Sequence, residues 1–127
     1  KLIKLSENDK NIFIFEKYCD YKEFRNILKK IDIMPIIHSA EEINKITSGT
    51  MYSCISNEIV TVIPKGINFM NDIMKYKSYE KAGNLYDYAR KIVKVSENYK
   101  FYLKNVKLNS LLLKSVLEKD PLKKYIT

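Results

Sequence analysis

Met51-Tyr-Ser-Cys-Ile-Ser-Asn-Glu-Ile-Val-Thr-Val-Ile-Pro-Lys-Gly66 is the stretch on which the fold turns. It holds two apolar runs of strand length, Met51–Ile55 and Ile59–Ile63, separated by Ser56-Asn57-Glu58. That spacing predicts a β-hairpin, although Asn-Glu is a weaker turn signal than Asn-Gly. Pro64-Lys65-Gly66 then ends the sheet region.

Toward the N-terminus the same pattern recurs with helices between the runs. Ile12–Phe15 and Asp32–Ile37 are two further apolar runs bounded by polar residues, and each is expected to be a strand. Pro35 lacks an amide donor, which marks an edge position or a bulge. Between these runs Asp20 followed by Glu23 forms a capping box, opening a helix whose apolar stripe is Phe24, Ile27, Leu28 and Ile31. Ser39 with Glu42 makes a second capping box, Ile43 and Ile46 supply a buried face, and Gly49 is expected to close that helix in the left-handed conformation. Lys1–Lys10 alternates apolar residues with lysine before a polar turn and reads as an edge strand or ordered arm. Strand, helix, strand, helix and strand with short connections describe two right-handed crossovers and a mostly parallel sheet, its last strand antiparallel in a terminal hairpin. The fold class is α/β, with α+β the alternative.

Beyond Gly66 the periodicity changes to helical spacing, over Ile67–Tyr76 and Tyr79–Lys104. In the longer segment Leu85, Ala89, Ile92, Ser96, Tyr99 and Leu103 share one line, flanked by Tyr86, Tyr88 and Val93, and this wide face is expected to be buried. Asn109 or Ser110 is positioned to cap a last helix through Leu111, Leu112, Val116 and Leu117, terminated by Asp120-Pro121. No repeat or linker interrupts the chain, so residues 1–127 are expected to form one domain, with a sheet-containing half (1–66) and a helical half (67–127).

Most catalytic and cofactor chemistry is excluded by what is missing. The three glycines, at positions 49, 66 and 83, allow neither a P-loop nor a G-x-G-x-x-G turn. One histidine and two dispersed cysteines give no metal-ligand spacing, so no metal and no cofactor are expected. His38 follows a strand, where open α/β sheets place ligand sites, but Ser39 and Glu42 beside it are committed to capping. Cys54 reads as a buried thiol, and Glu41 with Glu42 as solvated charges pointing apart. With no secretory signature and no apolar run near the length of a membrane span, a cytoplasmic or nuclear protein without a membrane span is expected. The motifs identify no known family, and a non-enzymatic role is expected.

Charge is the remaining clue. The chain carries +8 at neutral pH with a pI near 9.3. Abundant lysine, isoleucine, asparagine and tyrosine, without tryptophan or glutamine, fit coding in an AT-rich genome. Composition alone does not explain the distribution: residues 1–74 hold ten basic and ten acidic side chains, whereas 75–127 hold thirteen basic and five acidic. Arg90, Lys91, Lys94, Lys100, Phe101, Lys104 and Lys107 are therefore the candidate binding residues, a basic helical surface with an aromatic ring in it. The function expected is nucleic-acid binding, RNA more than DNA, through backbone phosphates; docking of these helices on an acidic protein is the alternative.

Overall fold

The computed structural model describes residues 10–11, 17–45, 49–67 and 74–120, with the backbone alone for residues 43–45. Its elements in chain order are α1 (Tyr21–Leu28), β1 (Ile33–Pro35), α2 (Ala40–Lys45), α3 (Gly49–Ser56), β2 (Val60–Pro64), β3 (Tyr79–Ala82), α4 (Leu85–Glu97) and α5 (Tyr99–Glu118). The strand expected at Ile12–Phe15 lies outside the described residues, as do nearly all of Lys1–Lys10 and the middle of Ile67–Tyr76. Residues 1–30 and 31–127 are two compact units.

In the first unit α1 begins as its sequence dictates. The Glu23 amide donates to Asp20 Oδ1 at 2.8 Å and the Asp20 amide donates to Glu23 Oε2 at 3.0 Å, a complete capping box. Such a cap stabilises a helix by about 1 kcal/mol, which matters for one of only eight residues. Leu28 is its buried residue.

The second unit is an α/β fold around a three-stranded sheet in the order β1-β2-β3. Ile33 pairs with Val60 and Pro35 with Val62, while Thr61 pairs with Tyr79 and Pro64 with Ala82; both ladders are parallel. The antiparallel last strand and the terminal hairpin expected from sequence are therefore corrected. Met51–Ile55 is helical, because Met51, Cys54 and Ile55 recur at three-and-four spacing and are the three buried residues of α3. Asn57-Glu58 is the cap of that helix instead of a hairpin turn: the Ile59 amide reaches back to the Cys54 carbonyl at 2.8 Å and the Glu58 amide to Ile55 at 3.1 Å. This is a Schellman closure, with Glu58 in the left-handed region at φ 59°. Gly49 opens α3 instead of closing the preceding helix, and its φ is not positive.

All five residues of β2 are buried, because the sheet is covered on both sides. Val60 and Val62 pack with Ala82, Tyr88, Val95, Tyr102 and Val106, whereas Ile63 packs with Ile36, Met51, Ile55, Ile67, Met74 and Leu113. Each fully buried valine or isoleucine contributes about 1.5–3 kcal/mol by removal from water. A strand sealed on both faces reads as an unbroken apolar run, which is the signature of parallel sheets. Pro35 sits on β1, paired among the described residues with β2 alone, so its missing amide interrupts no ladder on the other side.

The helical half also departs from expectation. Tyr79–Ala82 forms β3 instead of the start of a long helix, and α4 begins after it with Asn84 as cap, its Oδ1 accepting from the Asp87 amide at 2.8 Å. The helix breaks again at Asn98, whose side chain turns back to donate to the Lys94 carbonyl at 2.9 Å. Asn109 and Ser110 cap nothing, since both are buried inside α5. The Leu85 to Leu103 line is buried only in part: Ile92, Tyr99 and Leu103 are half-buried against the core and the flanking Tyr88 is buried, but Val95 is the other core residue of α4, while Leu85 is 69%, Tyr86 75% and Val93 55% exposed.

Candidate functional site

On α5 the inward side is fixed by Tyr102, Val106, Asn109, Ser110 and Leu113, all buried. At about 100° per residue, Lys100, Lys104, Lys107 and Lys114 then fall within about 80° of one another on the opposite side, along about 21 Å of helix. All four are exposed, and none makes an ion pair with another described residue. Like charges at three and four residue spacings repel by a few tenths of a kcal/mol per pair, a cost that a bound polyanion would relieve. Phe101 is 54% exposed, its ring meeting that of Tyr102 edge-on at 5.2 Å. By helical geometry it stands about 60° from Lys104, between the stripe and the flank that carries Asn105 and Tyr102.

The α4 members of the expected set are arranged differently. Lys91 and Lys94 reach Glu80 of β3, Lys91 Nζ at 3.5 Å from Oε2 and Lys94 Nζ at 3.0 Å from Oε1. Lys77 Nζ joins them at 3.2 Å from Oε1. Arg90 is exposed, beside a shallow depression shared with Ala89, Val93, Lys94 and Glu97. The structure thus brings Lys100, Lys104 and Lys107 onto one face, sets Phe101 on its flank, and gathers Lys91 and Lys94 around a carboxylate.

Glu80 is 4% exposed, held by the strand on the face that α4 and α5 cover. Tyr102 Oη donates to its Oε1 at 2.5 Å. Burial alone would push this carboxyl up; hydrogen bonds from Tyr102, Lys94 and Lys77 outweigh it and hold the group at about 2. Tyr102 is pushed up to about 12, by burial first and then by the carboxylate it faces. The Lys77 segment is tied to α5 as well. Asn105 Nδ2 donates to the Lys77 carbonyl at 2.8 Å, while Asn109 accepts from the Tyr76 amide at 2.9 Å and donates to the Tyr76 carbonyl at 2.7 Å. Glu80, Lys77, Tyr102 and Lys114 are absent from the set expected from sequence. Lys114 was legible, as the next member of the 100, 104, 107 spacing; Glu80 was hidden because Tyr79–Ala82 reads there as helix.

A second cluster lies where the three parallel strands end. His38 and Ser39 follow β1, Lys65 and Gly66 follow β2, and Gly83 and Asn84 follow β3. Gly66 has φ +92°, and a Cβ there would stand 3.2 Å from Ala40 Cβ, so the exits of β1 and β2 touch. Likewise the stem of Lys65 runs 3.6 Å from where a Gly83 Cβ would stand. Asp87 accepts from the Gly83 amide at 3.0 Å, and that bond, helped by Lys91, Lys65 and Arg90, keeps its carboxyl below the ordinary value. His38 is exposed at this edge.

Burial pushes the Cys54 thiol up to about 12, which makes it a poor nucleophile. The Glu42 amide donates to Ser39 Oγ at 3.2 Å, the capping role expected. No group of three His, Cys, Asp or Glu side chains is placed to hold a metal among the described residues, and no helix there is long and apolar enough to cross a membrane. No protein family, curated protein or solved structure matches the chain.

Proposed function

We propose that the chain binds single-stranded RNA through backbone phosphates. The observation that carries this reading is the stripe of four exposed lysines on α5, none of them ion-paired with another described residue. Phosphate contact needs flexible cations in a row more than it needs a pocket, and an exposed ring beside the row offers a stacking platform to an unpaired base. Phe101 in that position favours a single strand over a duplex, whose bases are already stacked. Anisotropy titrations of a labelled single-stranded RNA are the test. Lys100→Glu with Lys104→Glu should weaken binding to unrelated sequences alike, and log affinity should fall with log salt by about 0.7 for each phosphate contacted. Phe101→Ala should cost about 1–3 kcal/mol on single strands and much less on duplex. Weak binding that these changes leave untouched, together with a retained acidic protein partner, would reject the reading in favour of protein docking.

A second reading rests on the joined exits of the three parallel strands. Open parallel sheets bind ligands outside the carboxyl ends of their strands. His38, Lys65 and the side-chain amide of Asn84 would then receive a small anionic ligand. Protection of the exposed Lys65 amine from acylation by added nucleotides, unaffected by changes on α5, would promote this reading; equal labelling at all ligand concentrations would remove it.

A further inference from the structure

Lys77, Lys91 and Lys94 converge on one carboxylate from two separate parts of the chain, with Nζ atoms 3.2, 3.5 and 3.0 Å from Glu80 oxygens. One ammonium group would neutralise Glu80. Three outnumber it, and although Lys91 also faces the Asp87 carboxylate, Lys77 and Lys94 remain about half exposed there. The carboxylate is itself fixed, buried on β3 and hydrogen-bonded by Tyr102, and the Lys77 backbone is tied to α5 by Asn105. Flexible lysine side chains are thereby gathered and aimed before any ligand arrives, which lowers the ordering cost of binding.

We propose that this cluster is an anion site in which Glu80 is the positioning residue and one phosphate of a bound nucleic-acid strand seats on the outer side of Lys77 and Lys94. The proposal rests on the nucleic-acid reading above. By helical angle Phe101 stands between the α5 stripe and the flank from which Tyr102 and Asn105 reach this cluster, so a strand crossing that flank would meet cations on both sides of the ring.

Removing the charge of Glu80 gives opposite signs for the two possibilities. Glu80→Gln raises the net charge by one, so if the lysines only neutralise a buried carboxylate, polyanion binding strengthens or stays the same. If Glu80 gathers them, the variant binds more weakly despite its extra positive charge. The measurement is anisotropy of the full chain with a labelled oligouridylate of about 12 nucleotides at several salt concentrations, each variant first checked for a native thermal transition. Expected results are a loss of about three- to tenfold for Glu80→Gln, a smaller loss for Tyr102→Phe at unchanged charge, and a salt slope shallower by about 0.7, one phosphate contact, for Lys77→Ala with Lys94→Ala. The lysine variant keeps Lys91 opposite Glu80, so it preserves the fold if Glu80→Gln does not. Unchanged or tighter binding by Glu80→Gln, or an unchanged slope in the lysine variant, overturns the proposal while stripe-dependent binding still stands. Absence of RNA binding by the native chain overturns both.

Discussion

Acid should unlock the Glu80 cluster over a definite pH window. The folded group sits at about 2 against an ordinary value of 4.5. A carboxyl lowered on folding stabilises the protein fully above the unfolded value, and that contribution is lost as pH falls from about 4.5 through about 2. At about 1.36 kcal/mol per pKa unit the shift corresponds to a ceiling of about 3 kcal/mol. Lys77 and Lys94 are 55% and 48% exposed, so water and salt screen their attraction and the expected contribution is about 1–2 kcal/mol. Urea unfolding of the native protein and of Glu80→Gln, compared between pH 6 and 2.5, isolates this group because every other carboxyl titrates alike in both. The native advantage should shrink by about 1–2 kcal/mol across the window, and by less in 1 M salt. Stability differences that run parallel from pH 6 to 2.5 would show that the carboxylate charge contributes nothing.

Tyr88 Oη donates to the Ile36 carbonyl at 2.7 Å in a buried setting, so Tyr88→Phe should cost about 1–3 kcal/mol by denaturant titration; a loss under about 0.5 would mean that the carbonyl finds another donor. Backbone conformation separates three positions. Glu58→Gly should stabilise by up to about 1 kcal/mol because its φ is 59°, whereas Gly66→Ala should destabilise by at least about 1 kcal/mol, having both φ +92° and a contact at 3.2 Å to overcome. Gly49→Ala, in open space at a helix start, should be neutral or favourable by up to about 1 kcal/mol, and thermal melts that rank these three differently would refute the assignments. Iodoacetamide should modify Cys19 well before Cys54, whose thiol is pushed up to about 12; equal rates in mass spectra would show that α3 opens readily.

Local chemistry was enough for the features that reside within a few residues. The Asp20–Glu23 capping box, the Ser39 cap, the strand around Ile33–Pro35, the apolar run that became β2 and the stop near Asp120 were all legible, because each is set by side chains reaching their own backbone or by a run of one character. The lysines of the α5 stripe were legible too, since their spacing is that of a helix. What sequence alone could not decide was any choice made by a distant partner. Met51–Ile55 has residues suited to either a strand or a helix, and burial of Met51 and Ile55 in one cluster with Ile63 and Leu113 selected the helix and with it a parallel sheet. Tyr79–Ala82 matches helical spacing, yet it pairs with β2 and turns Glu80 toward Tyr102 and three lysines. Which face of α4 is buried, and which lysines of that helix are paired, followed only when β3 placed a carboxylate among them: a charge finds its partner in space, at distances the order of residues does not encode.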